Sequence, residues 1–114
     1  MKTTINKDDA IFYLEMAGLS NKKRIGEIKP YYKILDERDS DDCRRFIGVY
    51  FKMKVLLTEK EQFVLNELYG VNKERKTQKS IGVMLNIGHE RVRQIAKKAE
   101  FKIARSLLMQ LKEA

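Results

Sequence analysis

An all-α fold is predicted by three observations. The 114 residues contain one proline and six glycines. Leu, Ile, Glu, Lys and Met, which lose little side-chain freedom in a helix, are frequent. Apolar residues also recur at three- and four-residue spacing. The length fits one domain, or one domain with a small appendage, and 43% hydrophobic residues supply a single modest core. A large multi-domain enzyme is excluded.

The elements follow in order. Asn6 can cap a first helix that carries Asp8 and Asp9 in its opening turn, where the macrodipole favours acids, and that stops at Gly18. Ile11, Tyr13, Leu14 and Ala17 give it helical apolar spacing. A short helix over 20–29 carries Ile25 and Ile28. Pro30 ends that helix or opens the next, because proline fits a first turn but not an interior. Tyr31, Ile34 and Leu35 form a further apolar stripe. Asp39-Ser40-Asp41-Asp42 reads as a cap and acidic first turn for a helix with Cys43, Phe46, Ile47, Tyr50 and Met53 on one face.

In the second half, Thr58-Glu59-Lys60-Glu61 is a capping box, so a helix begins there. Phe63, Val64, Leu65 and Leu68 form its apolar face, and Gly70 can end it in the left-handed conformation. Residues 72–76 are a polar loop. Thr77 can cap the next helix, with Ile81, Met84 and Leu85 inward. After a break at Asn86-Ile87-Gly88, a long helix is predicted from His89 to about Leu111.

Charge narrows the function classes. Lys and Arg number 24 against 16 Asp and Glu, a net charge of +8, and residues 73–105 alone hold 10 basic against 3 acidic side chains. Such an excess predicts attraction to a polyanion or to an acidic protein face. No apolar run approaches the roughly 18 residues of a membrane span, and the N-terminus lacks a signal-peptide core, so an intracellular, cytoplasmic protein without membrane contact is expected. Cys43 is the single cysteine and His89 the single histidine. That excludes an internal disulfide and gives no reason to expect a metal or cofactor. Without a phosphate-cradling glycine loop, carboxylate pair or nucleophile and base pair, no catalytic residue is assigned.

Two helices joined by about three residues, with a basic surface after the second, describe a helix-turn-helix. The crossing requires a very small residue on the first helix, and Gly82 is placed there. The turn requires a residue tolerant of positive φ, Asn86, followed by an apolar plug, Ile87. Val92 and Ile95 then face the core. At about 100° per residue from Glu90, Arg93 falls near 300°, Gln94 near 40° and Lys97 near 340°. Val92, Ile95, Ala96, Ala99 and Ile103 occupy the opposite face. Glu90, Arg93 and Gln94 lie at the N-terminal end, the part that enters a major groove, and their side chains suit base edges. Arg91 and Lys98 flank them, placed for phosphate.

These residues also carry a resemblance. Leu57-Thr58-Glu59-Lys60-Glu61, Tyr69-Gly70-Val71, Ile81-Gly82, Ile87-Gly88-His89-Glu90-Arg91-Val92-Arg93-Gln94-Ile95 and Lys98-Ala99-Glu100 resemble region 4 of the sigma-70 family of bacterial RNA polymerase sigma factors, over residues 55–108. The resemblance implies a domain that reads the −35 promoter element and packs on the flap of the polymerase β subunit. It implies Glu90, Arg93 and Gln94 as base readers, with Thr77, Lys79, Arg91, Lys97 and Lys98 on the DNA backbone; His89, at the helix N-terminus, can itself donate to phosphate. Gly88 and His89 depart from the family, which commonly has a hydroxyl cap and an arginine there. Residues 1–55 do not resemble the sigma regions that bind the −10 element and melt DNA, and form a helical module of unassigned role, with 56–114 as the DNA-binding domain.

The expectation is a transcription regulator of a bacterium, its phage or plasmid, binding duplex DNA at promoters alone or together with RNA polymerase. Two alternatives stand beside it. One is a helix-turn-helix repressor that forms a homodimer through its N-terminal helices, and the other a module that docks on the polymerase flap or a sigma subunit.

Overall fold

The computed structural model describes residues 5–19, 29–71 and 73–113. Six α-helices occur among them: α1 (Lys7–Met16), α2 (Tyr31–Leu35), α3 (Asp41–Met53), α4 (Glu59–Tyr69), α5 (Gln78–Leu85) and α6 (His89–Glu113), with a 3-10 turn, Lys54–Leu56, between α3 and α4. The helix expected over 20–29 falls almost wholly on residues outside this description; Lys29 itself is not helical. No described helix is long and apolar enough to cross a membrane.

Helix starts follow local chemistry. The Asn6 side chain accepts from the Asp8 and Asp9 amides, and Ser40 accepts from the Cys43 amide. Thr58 and Glu61 form the reciprocal capping box, at 3.2 and 2.9 Å. Thr77 accepts from the Ser80 amide at 3.1 Å. Each satisfies amides that the helix itself leaves without partners. Pro30 opens α2 as its N-cap residue. At the other end of α4, Gly70 adopts φ +70°. A Cβ there would lie 2.7 Å from the Lys73 carbonyl, so glycine is required.

One core gathers both halves of the chain. Tyr13, Leu14, Tyr31, Leu35, Phe46 and Tyr50 from the first half pack with Leu65, Leu68, Tyr69, Ile81, Val92, Ala99 and Ile103 from the second. Tyr69 is at its centre. Its ring lies 5.0 to 5.2 Å from those of Phe46, Tyr31 and Tyr50, at steep angles, while Tyr13 stacks on Phe46 at 4.8 Å. Such edge-to-face pairs contribute about 0.5–1.5 kcal/mol each beyond the area they bury.

Beneath the rings is a polar hub. Tyr69 donates to Glu100 at 2.6 Å, and having given its proton there it accepts from Tyr13 at 3.0 Å. Lys29 Nζ lies 3.7 Å from the same carboxylate and donates to the Ala17 carbonyl at 2.7 Å. Glu100 is 2% exposed, so an unpartnered carboxylate would be costly. The hub ties α1, α4 and α6 to the chain just before α2.

Two expectations are corrected. Ile11 has helical spacing but is 38% exposed, because Ala10, Tyr13 and Leu14 set the buried face of α1. Met84 was expected inward and is 49% exposed. The crossing at Gly82 aims Ile81 and Gly82 at α6, which turns Met84 to the edge. Tyr31, on the apolar stripe of α2, is 1% exposed and packs on both Phe46 and Tyr69.

Burial raises the Glu100 carboxyl above its ordinary value of 4.5, and Lys29 and Tyr69 offset this only in part. Because the folded protein holds that proton more tightly than the unfolded chain, its contribution is fully present below 4.5 and is lost as pH rises through the folded value. Glu100→Gln keeps an acceptor for Tyr69 and is expected to flatten this decline. Urea midpoints of both proteins from about pH 4 to pH 8 measure it; parallel pH profiles would contradict the assignment.

Candidate nucleic-acid interface

The interface is built on α5 and α6. Asn86 ends α5 with φ 57°, ψ 46°, the one described non-glycine residue at positive φ. Asparagine tolerates that conformation because its short polar side chain is not forced against the backbone. The reversed chain returns the Ile87 amide to the Gly82 carbonyl at 2.9 Å. A Cβ on Gly82 would stand 2.6 Å from the Ile87 carbonyl oxygen, so the two helices approach to a distance that only glycine allows. Ile87 packs against the core, with Val92 and Ile95 buried beyond it.

α6 starts with the Gly88 carbonyl accepting from the Arg91 and Val92 amides, at 3.1 and 3.2 Å. Gly88 therefore occupies the cap position with no side chain to satisfy the free amides. A Cβ there would meet nothing within 4 Å.

From this start Glu90, Arg93 and Gln94 all stand exposed on the outer face. Arg93 grips Glu90 through Nε at 3.0 Å to both carboxylate oxygens and Nη2 at 2.5 Å to Oε1. The hydrogen bond to Arg93 holds the Glu90 carboxyl below its ordinary value and raises the guanidinium in return. Being exposed, the pair adds little to stability. It does hold two side chains together on one turn, an acceptor for cytosine beside a donor fork for guanine. Arg91 Nη1 reaches the Gln94 side-chain oxygen at 3.4 Å.

The backbone candidates divide. Thr77, Lys79 and His89 come together around a groove of about 640 Å³ where the N-termini of α5 and α6 meet. Arg91 and Lys97 are exposed along α6. Lys98 lines a different groove, farther down the same helix. Tyr32, Arg75, Lys76 and Gln78 also line the first groove, and of these the sequence gives no site role to Arg75, Lys76 or Gln78. Arg75 is held there by α2: it forks onto Asp36, which follows α2, at 2.9 to 3.2 Å, and its guanidinium sits 5.0 Å from the Tyr32 ring centre. Arg38 donates to the Lys73 carbonyl at 2.8 Å, and Lys73 pairs with the buried Glu67. The loop before α5 is thus pinned from the N-terminal half. The sequence shows the basic residues of this loop but not the partners they take from the N-terminal half, which lie 35 or more positions away.

Two substitutions one turn of chain apart are expected to act in opposite directions. Gly82→Ala forces the helices apart and costs about 1–3 kcal/mol, the range for overpacking. Gly88→Ser enters open space and supplies a cap, adding a few tenths of a kcal/mol. Thermal or urea unfolding compares them, and equal effects would contradict this description of the turn.

Comparison with known proteins agrees with the geometry. Residues 55–103 match the family model described as Sigma-70, region 4. No curated protein and no solved structure gives a match to the chain. The matched segment runs from the 3-10 turn through α4 and α5 into α6 and contains the whole Gly82 to Ile95 crossing. Residues 55–103 are thus similar to region 4 of the sigma-70 family and form a region-4-like helix-turn-helix.

Proposed function

We propose that this protein is a non-catalytic, cytoplasmic transcription regulator that recognises duplex DNA at promoters by inserting the N-terminal end of α6 into the major groove. The observation that carries this reading is the placement of Glu90, Arg93 and Gln94. All three are exposed on the first two turns of a helix whose opposite face is locked by Val92, Ile95 and Ala96. Arg93 and Gln94 read purine edges, and Glu90 accepts from cytosine. Breaking the Glu90 to Arg93 pair on a wrong base leaves a charge without its partner, which sharpens discrimination.

Thr77, Lys79 and His89 hold one phosphate run at the junction groove, while Arg91, Lys97 and Lys98 follow the backbone along α6. Residues 1–55 serve as a buttress for residues 56–114, through the Asp36 to Arg75 fork and the Tyr69 hub. RNA polymerase is the expected partner at the promoter, as it is for region 4 in the sigma family.

Selection of bound sequences from a random duplex pool, with and without polymerase, tests the reading. A defined motif supports it; recovery of unrelated sequences at equal affinity in both arms refutes it. Arg93→Ala is expected to relax preference at one base position, with a loss of about 1–3 kcal/mol on the selected site and little change on random DNA. Lys79→Ala is expected to weaken all sequences alike and to lower the salt dependence of binding by about one unit of slope. Fluorescence anisotropy at several salt concentrations distinguishes the two.

A further inference from the structure

Gly48 stands in the interior of α3 without a reason inside the fold. A Cβ there would meet nothing within 4 Å, whereas at Gly70 and Gly82 backbone atoms already fill that space. Its φ is not positive. Glycine in a helix interior is less stable than alanine, so the single chain would be better served by alanine at this position. The face on which Gly48 lies is also unusual. At about 100° per residue from the buried Phe46, Phe51 falls near 140°, Arg44 near 160° and Gly48 near 200°, all on the opposite side of the helix. Phe51 and Val55, which follows one turn later, are 41% and 62% exposed. Arg44, Ile47, Gly48 and Phe51, with Arg38 and Cys43 at the edge, surround a hollow of about 290 Å³. Positions i, i+3, i+4 and i+7 are the four that receive a side chain where two helices interlock.

We propose that two copies of this chain associate through α3, antiparallel about a two-fold axis, with Phe51 of each seated over Gly48 of the other. Projection and hollow occur on one face a single turn apart, so one two-fold operation fills both hollows. The missing side chain at Gly48 is then explained by close approach from outside. Charge favours the same arrangement. α3 opens with Asp41 and Asp42 and ends with Lys52, followed by Lys54 in the 3-10 turn. Antiparallel pairing brings the acidic turn of one copy toward the basic turn of the other and opposes the two macrodipoles. Parallel pairing would set like charge on like. Nucleic acid on this face would meet the two aspartates, and a partner of one charge sign would satisfy only one end of it. The face lies on α3, which precedes the region-4 match, and leaves α5 and the exposed trio on α6 uncovered.

Sedimentation equilibrium of the full chain without DNA, from micromolar to millimolar concentration, reads the association directly. A reversible dimer is expected. Gly48→Ala separates folding from association: it is expected to raise the melting temperature at the lowest concentration, where the monomer dominates, yet to raise the dimer dissociation constant about tenfold or more. A purely local helix effect would do only the first. Phe51→Ser removes the projecting ring and is expected to weaken the dimer by about tenfold or more as well. Lys52→Glu sets acid toward acid and is expected to weaken it about threefold or more. Because Gly48→Ala favours the helix, the test stays valid if Phe51→Ser fails to fold.

A monomer throughout the concentration range would overturn the proposal. So would a dimer whose dissociation constant ignores Gly48→Ala and Phe51→Ser, or one that Lys52→Glu strengthens. Association is read without DNA, so failure here leaves the DNA reading standing, and failure of the DNA reading leaves this one standing.

Discussion

The structure depends on how one buried carboxylate is satisfied. Glu100 sits on the inner face of α6, where burial penalises its charge, and it is held by the Tyr69 hydroxyl and approached by Lys29. Each partner comes from a different part of the chain. Tyr69 ends α4 and Lys29 precedes α2, and Tyr13 of α1 joins through Tyr69. A hydrophobic contact at this point would be non-directional and would tolerate a rotated α6. A hydrogen bond at 2.6 Å does not. The hub thus fixes the rotation of α6 about its axis, and with it the direction in which Glu90, Arg93 and Gln94 point two to three turns earlier.

The second constraint acts on the position of α6 rather than its rotation. Gly82 lets α5 and the turn approach until the Ile87 carbonyl touches the α5 backbone. The loop ahead of α5 is held by Arg75 on Asp36 and Tyr32 and by Arg38 on the Lys73 carbonyl. Each of these exposed contacts is weak alone. Their value is geometric, since together they keep Thr77 and Lys79 beside His89. The N-terminal half is therefore part of the binding scaffold through packing, although it supplies few side chains to the groove.

Much of the candidate site was legible because its chemistry is local. A cap needs a side-chain oxygen and an amide three residues on, so Thr58, Ser40, Asn6 and Thr77 could be read directly. The helix-turn-helix was legible for the same reason, as Gly82, Asn86, Ile87, Val92 and Ile95 satisfy a crossing within 14 positions. Ile11 and Met84 show the limit. Periodicity says that a helix has an apolar face, but the exact arc that is covered depends on where neighbouring helices lie.

The amino-acid sequence by itself determined the all-α class, the helix starts, the turn and the exposed trio on α6, because each follows from interactions between residues a few positions apart. Tertiary structure alone decided that Glu100 is a buried hub, that Arg75 is held by Asp36, and that Phe101, Leu108 and Met109 share a groove with Leu19. Those outcomes join residues from 31 to 90 positions apart. At such separations the spacing along the chain carries no information about distance in space, and only the packing of the helices supplies it.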